Sequence, residues 1–278
     1  MMFGTGDDFQ YLECGACGCL SLLDVPADLS RYYPDGYYSM AQNRKVSLLR
    51  KLRDYAYLSP VSPLVNWHGR SDLDLVRHCG LTKRQKLLDV GCGTGHLLGD
   101  LRELGYRAEG ADPFIASQVR DRFGVRVFKK SLDEVTGEYD VVIFRHSLEH
   151  MPNQLDVLRS ARKKLLPGGT CVVCIPVIGW AWRQYGVHWS QLDAPRHLFL
   201  HTVKSFELIA TKAGFRIERV VFDSDDFQFW VSDLYQQGKA LHGSRRPGAL
   251  KMWRMRRRAG ALNQSKDGDK AQFYMKAG

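Results

Sequence analysis

A chain of 278 residues, 44% hydrophobic and 25% charged, has the make-up of an ordinary globular protein. It is long enough for one α/β domain of about 150 to 200 residues with extensions. No apolar run approaches the ~20 residues of a membrane helix, and the start, MMFGTGDDFQ, lacks the basic and apolar regions of a secretory leader, so a cytoplasmic protein is expected.

The net charge of +10 invites a nucleic-acid reading, but the excess is concentrated in one place. Nine Lys and Arg and no acidic residue lie between Lys239 and Lys266, which leaves the rest near neutral, unlike a basic patch spread over a binding face.

In chain order, residues 1–40 carry CGACGC from Cys14 to Cys19 and then the tyrosine-rich turn RYYPDGYYS, Arg31 to Ser39. Residues 41–80 read as a helical lid, with a helix over Asn43 to Ala56 and a proline joint at Ser59 to Pro63. Alternating strand and helix signals follow. Strands are expected at Lys86–Val90, Arg107–Ala111, Val125–Phe128, Tyr139–Phe144, Thr170–Val177 and Phe215–Phe222, with Phe227–Val231 as candidate for a seventh. Helices are expected at Gly95–Leu104, Ile115–Phe123, Gln154–Leu166 and Thr202–Ala213, the last with Thr202 as N-cap and Gly214 as stop. This rhythm implies a parallel sheet with right-handed crossovers. Gly179 to Leu200 breaks it with three tryptophans, His188, Arg196 and His197, a long aromatic loop of the kind that carries function. Past Lys239 the composition shifts to Gly, Arg and Lys, and residues 239–278 read as a basic, loosely ordered tail.

The strongest chemical signal is LLDVGCGTGHLL, Leu87 to Leu98: a buried strand, a glycine turn and a helix start. Gly91, Gly93 and Gly95 let a ligand lie against the main chain. The spacing is GxGxG, so a dinucleotide GxGxxG fails by one position, and no GK[ST] follows to cradle phosphate. Asp112 ends the next strand, 23 positions after Asp89, where a carboxylate can accept both hydroxyls of a ribose.

Together these residues resemble the first two cofactor motifs of class I S-adenosylmethionine-dependent methyltransferases. The resemblance implies a doubly wound, mostly parallel seven-stranded sheet over residues 81–238, with S-adenosyl-L-methionine as cofactor. It also implies that Asp89, Gly91, Cys92, Gly93 and Gly95 surround the methionine part and Asp112 holds the ribose. Ser131 and Leu132 would flank the adenine, where the family often has an acidic residue, and Arg145 and His146 would line the cofactor after the fourth strand. FRHSLEHMPN, Phe144 to Asn153, resembles a subgroup acting on small molecules and glycans. Its His146 and His150 are spaced like a metal pair, but no third ligand stands nearby in sequence, and no metal is assigned. LDAPRHLFLHTVKSFELIATKAGF, Leu192 to Phe215, extends that resemblance. Arg196 either grips an anionic acceptor or pairs with Asp193, and His197 is the candidate base, with His150 as competitor.

Cys14 and Cys17 resemble the second knuckle of a zinc ribbon, but a structural zinc needs four ligands. Cys171 and Cys174 are expected to be small core residues. The PRH segment and FQFW, Phe227 to Trp230, are similar to methyltransferases of surface-polysaccharide synthesis. The function this implies is O-methylation of a sugar or polysaccharide precursor, with a quinone-precursor or other small-molecule O-methyltransferase as the alternative. A small-molecule or glycan acceptor is the expected partner. The basic run, with Trp253 and Met255 interleaved, is a candidate contact for an anionic membrane surface. A nucleic-acid-binding protein using that run is the reading from another class.

Overall fold

In the computed structural model the described residues are 6–33, 56–57, 71–115, 119–120 and 125–278. Their centre is an eight-stranded sheet of order β10-β11-β8-β7-β3-β4-β6-β5. Its members are β3 (Lys86–Val90), β4 (Arg107–Ala111), β5 (Val119–Arg120), β6 (Arg126–Phe128), β7 (Tyr139–Arg145), β8 (Leu165–Pro176), β10 (Phe215–Phe222) and β11 (Lys270–Ala277). β3 pairs in parallel with β4 on one side and β7 on the other, β4 with β6, and β7 with β8. The two-residue β5 is antiparallel at the edge, and the remaining seven strands make the expected doubly wound sheet. β11 runs antiparallel between β8 and β10.

The central strands are apolar on both faces because helices cover both. Leu88, Val90, Val142, Phe144, Val173, Phe273 and Met275 point to one side. There they meet Leu158 and Ala161 of α3 (Gln154–Lys163), and Phe206 and Ala210 of α5 (Val203–Lys212). Leu87, Val141, Ile143, Val172 and Tyr274 point to the other. They pack on Leu73, Leu75 and Val76 of α1 (Ser71–Cys79) and on Leu97, Leu98 and Leu101 of α2 (His96–Glu103). Cys171 and Cys174 are core residues as expected, one on each face. Thr202 caps α5 by accepting the Ser205 N–H at 3.0 Å, and Gly214 ends it at φ 82°.

Several elements differ from expectation. Phe227–Val231 is not a strand but the start of α6 (Phe227–Gln236). The seventh strand is β11, inside the segment read as a loosely ordered tail. α7 (Ala249–Gln264) precedes it and is tied down by specific contacts. Asn263 clasps the Ser224 backbone at both N–H and C=O (3.0 and 2.9 Å), Arg256 pairs with Asp226 at 2.5 Å, and the Arg258 guanidinium lies 4.2 Å over the Trp180 ring. The basic composition masked a helix whose Met252 packs on Trp230 and Tyr235 and a strand whose five middle residues are buried. β8 begins at Leu165, so Pro167-Gly168-Gly169 lies within it rather than ahead of it. Val119 and Arg120 are strand where a helix was expected. The lid helix at 43–56, the joint at 59–63 and most of the turn at 31–39 fall outside the described residues.

A second, three-stranded sheet joins β1 (Tyr11–Glu13), β2 (Leu20–Leu22) and β9 (Phe199–Leu200). β2 pairs with β9 through Leu20–Leu200 and Ser21–Phe199, which fastens the N-terminal ribbon to the PRH segment. The loop at 179–200 also contains α4 (Trp180–Tyr185). Among the described residues no helix is long and apolar enough to cross a membrane.

Candidate active site

Strand order reverses between β3 and β7, and a crevice outside the carboxyl ends of the strands at such a point is where open α/β sheets bind ligands. The turn after β3 and the turn after β7 meet there. Gly91, Gly93 and Gly95 all have positive φ (71°, 54° and 83°), a conformation that a side chain would strain. At Gly91 a Cβ would also lie 2.5 Å from the Ser147 Cβ. Ser147 closes the junction by donating to the Val90 carbonyl at 2.7 Å.

Asp112 is buried at the end of β4. Its Oδ2 accepts the Gly93 N–H and its Oδ1 the Phe114 N–H, each at 2.9 Å. The acid thus sets the glycine turn, and each oxygen retains acceptor capacity for a hydroxyl donor. Asp89 is buried one residue before the end of β3. Cys92 turns inward, since a Cβ on Gly110 would meet its Sγ at 2.4 Å, and burial pushes its thiol pKa up. These features fit the motif that a methionine-and-ribose ligand requires. Ser131 and the buried Leu132 follow β6; the Ser131 N–H and hydroxyl both donate to Glu134, at 2.8 and 2.7 Å. Arg145 is the last residue of β7. His146 follows it at φ 52°.

On the other side of the crevice the two candidate bases come together. The His150 and His197 rings lie 4.8 Å apart between centroids. His150 donates its Nδ1–H to the Arg196 carbonyl at 2.8 Å, and His197 donates its Nδ1–H to the Gln191 carbonyl at 2.6 Å. A carbonyl only accepts, so both Nδ1 atoms carry a proton, and Nε2 is the atom that holds the lone pair when the ring is neutral. Burial, and then the neighbouring His150, push the His197 pKa down to about 4, so the ring is neutral at physiological pH. Its Nε2 lies 3.8 Å from Asp193 Oδ2.

Arg196 is buried and paired with Asp193. The pairing alternative therefore describes its place, and its guanidinium also sits 5.8 Å over the Tyr33 ring. The PRH segment is clamped from both sides. The Leu198 N–H donates to the Glu149 carbonyl at 2.8 Å, and Tyr11 of β1 donates its hydroxyl to the His197 carbonyl at 2.7 Å.

Sequence reasoning missed Glu149 and Tyr11. Glu149 is 1% exposed, and neither carboxylate oxygen accepts a hydrogen bond. His146 approaches Oε1 at 3.5 Å. Burial alone would raise its pKa, but the surrounding imidazoles of His146, His150 and His197 hold it below the usual carboxylate range. Glu149, His150 and His197 each present a ligand atom, all within 4.8 Å of one another. His146, the other member of the i, i+4 pair, is not in this group; the partners of His150 are Glu149, next to it in sequence, and His197, 47 residues away. At the N-terminal turn, backbone N–H groups of Cys17 and Ala16 lower the Cys14 thiol pKa.

A family model described as a methyltransferase domain matches residues 73–220. A ubiquinone biosynthesis O-methyltransferase of Pseudomonas aeruginosa is 29% identical over 128 residues, 42% of this chain and 52% of that protein. One of Ruegeria pomeroyi is 27% identical over 188 residues, 58% of this chain and 73% of that protein. The chain thus spans about half the length of most of the curated relatives it matches. Among solved structures, geranyl diphosphate C-methyltransferase of Streptomyces coelicolor aligns with TM-score 0.53 at 12% identity, over 91% of this chain and all of that one. Over half of its length, with the strand order and glycine turn described above, the chain belongs to the methyltransferase-domain family and has the class I, S-adenosylmethionine-dependent methyltransferase fold.

Proposed function

We propose that this protein methylates a hydroxyl oxygen of a small molecule, a phenol of the quinone-precursor kind, with S-adenosylmethionine as donor. The observation that carries the reading is the pair of imidazoles, His150 and His197, which meet at 4.8 Å between ring centroids beside the β7 turn, each with its Nδ1–H given to a carbonyl. When bound, S-adenosylmethionine supplies an electrophilic methyl group on a sulfonium. Gly91, Cys92, Gly93 and Gly95 hold its methionine part through the backbone, with Asp89 beneath them. Asp112 takes the ribose hydroxyls, Ser131 and Leu132 flank the adenine, and Arg145 and His146 line the rim.

The chain's remaining tasks are to align the acceptor, exclude water and remove a proton. A hydroxyl is a poor nucleophile while protonated, and a neutral imidazole Nε2 can take that proton. Arg196, held by Asp193, braces the loop that carries His197. The names of the relatives favour a phenolic acceptor. The sugar reading leaned partly on FQFW, and that segment packs in α6, with Phe229 against Trp180 and Trp230 against Met252. The exposed Lys251, Arg254 and Arg257 of α7, beside exposed Leu250 and Trp253, would carry the contact with an anionic lipid surface.

The test offers the purified chain S-adenosylmethionine with a catechol or with a nucleotide sugar and measures S-adenosylhomocysteine. Turnover is expected with the catechol alone. Turnover with the sugar alone would reverse the order of the two acceptors, and none with either would sink hydroxyl transfer of this kind.

A further inference from the structure

We propose that Glu149, His150 and His197 form a binding site for one divalent transition-metal ion of the zinc(II), cobalt(II) or manganese(II) class. The site borrows its place beside the acceptor from the reading above. Its ligand chemistry is argued independently.

The first argument is charge. The Glu149 carboxylate is buried with no short hydrogen bond on either oxygen; its nearest polar neighbour is His146 Nδ1, 3.5 Å from Oε1. A buried charge in that state is strongly unfavourable unless something neutralises it. No Lys or Arg reaches it among the described residues; its neighbours are the imidazoles of His146, His150 and His197. Each of His150 and His197 spends its Nδ1–H on a carbonyl, which leaves Nε2 as the ligand atom of the neutral ring, and a buried carboxylate grouped with two such atoms within 4.8 Å describes a place for a cation.

The second argument is preorganisation. A metal-bound histidine donates its other ring N–H to a carbonyl or carboxylate, which fixes the tautomer and the ring plane. Both histidines do so, His150 to Arg196 O and His197 to Gln191 O. The two carbonyls belong to the clamped PRH loop, which the Leu198–Glu149 bond joins to the third ligand's own backbone. The ligand atoms lie within 4.8 Å of one another. Zinc-type bonds of ~2.0–2.1 Å bring such atoms to roughly 3.3 Å, so side-chain shifts of about 1 Å would close the site. Two imidazoles and one carboxylate suit borderline divalent ions rather than calcium or magnesium. Three protein ligands leave positions open, as in catalytic rather than structural sites. With a metal bound, the Nε2 lone pairs of His150 and His197 are taken up as ligands, so a coordinated acceptor hydroxyl, its pKa lowered, would give its proton to water in place of an imidazole.

The experiment strips the full chain with a chelator and titrates it with cobalt(II) alone, followed by calorimetry and visible absorption. One cobalt per chain is expected, with a ligand-field spectrum of low coordination number. Glu149→Gln and His197→Ala should each weaken binding by at least about 100-fold. A thermal shift with S-adenosylmethionine, measured on the metal-free proteins, shows that each variant is folded. Absence of one-to-one cobalt binding by the wild type overturns the proposal. Binding that survives both substitutions also overturns it, including binding lost only in Cys14→Ser or Cys17→Ser, which would place the metal at the N-terminal turn. Cobalt binding of the expected pattern in a protein that ignores S-adenosylmethionine would uphold the metal site and sink the methyl-transfer reading.

Discussion

The two sides of the crevice are held together by different means. On the cofactor side the parts are neighbours in sequence and the ties run through backbone. The turn from Gly91 to Gly95 hangs from β3, and Asp112 at the end of the adjacent parallel strand accepts its Gly93 N–H directly. On the acceptor side the parts are distant in sequence and cross-braced by side chains. Tyr11 reaches the His197 carbonyl, His150 reaches that of Arg196, and β9 is paired by the N-terminal β2. A sheet edge with a glycine turn can serve many acceptors unchanged, whereas the opposite wall must be built for one. In the proposed function the glycine-turn side is therefore the part that the fold supplies, and the side of His150 and His197 the part that would give this chain its own chemistry.

The largest effect should come from cutting away what both sides rest on. Deleting residues 244–278 removes β11 from between β8 and β10, takes the buried Phe273 and Met275 with it and uncovers Phe206, whose ring packs on Phe273. Read as a tail, this segment would be dispensable for cofactor binding. Its place in the sheet instead predicts loss of cooperative thermal unfolding and of cofactor binding together. A truncated chain with the melting profile of the full one would contradict the β11 assignment.

Next in size, His197→Ala should lower turnover by about 10² to 10⁴, the usual worth of a general base, while S-adenosylmethionine affinity stays near that of the wild type. His150→Ala is the matched measurement, because its ring meets that of His197. Full loss in His150→Ala with activity retained in His197→Ala would exchange their roles, and a parallel loss of cofactor affinity would erase the division between the two sides.

An effect of similar size, but on binding rather than turnover, is expected from Asp112→Ala. Two hydrogen bonds to a charged acceptor, at roughly 1.5–3 kcal/mol each, put the loss of cofactor affinity at about 10² or more. The rise in melting temperature on adding S-adenosylmethionine should largely vanish by mass action. Since Asp112 also holds Gly93 and Phe114, some stability of the metal-free, cofactor-free chain should go with it. An unchanged cofactor-induced shift would remove Asp112 from the site.

What could be read from the chain alone follows the same division. Apolar runs at Leu87–Val90 and Val141–Phe144, a GxGxG turn and an acid 23 positions on are local patterns. They determine a strand, its turn and the end of the next strand because backbone geometry and burial act over a few residues. By themselves they were enough for the fold class, the glycine turn with the acid at the next strand's end, and the cap of α5. The rest required the chain to be folded. β11 was hidden because a strand buried on both faces has no alternation, and the preceding basic helix made its surroundings look like solvent. Phe227–Val231 read as strand because aromatic residues favour both a strand and a packed helix, and only the contacts with Met252 and Trp180 decide between them. Glu149 looked like one more charge in a surface turn. Its burial and its meeting with His197 are products of the PRH loop folding back over the β7 turn, a long-range closure that no spacing along the chain encodes.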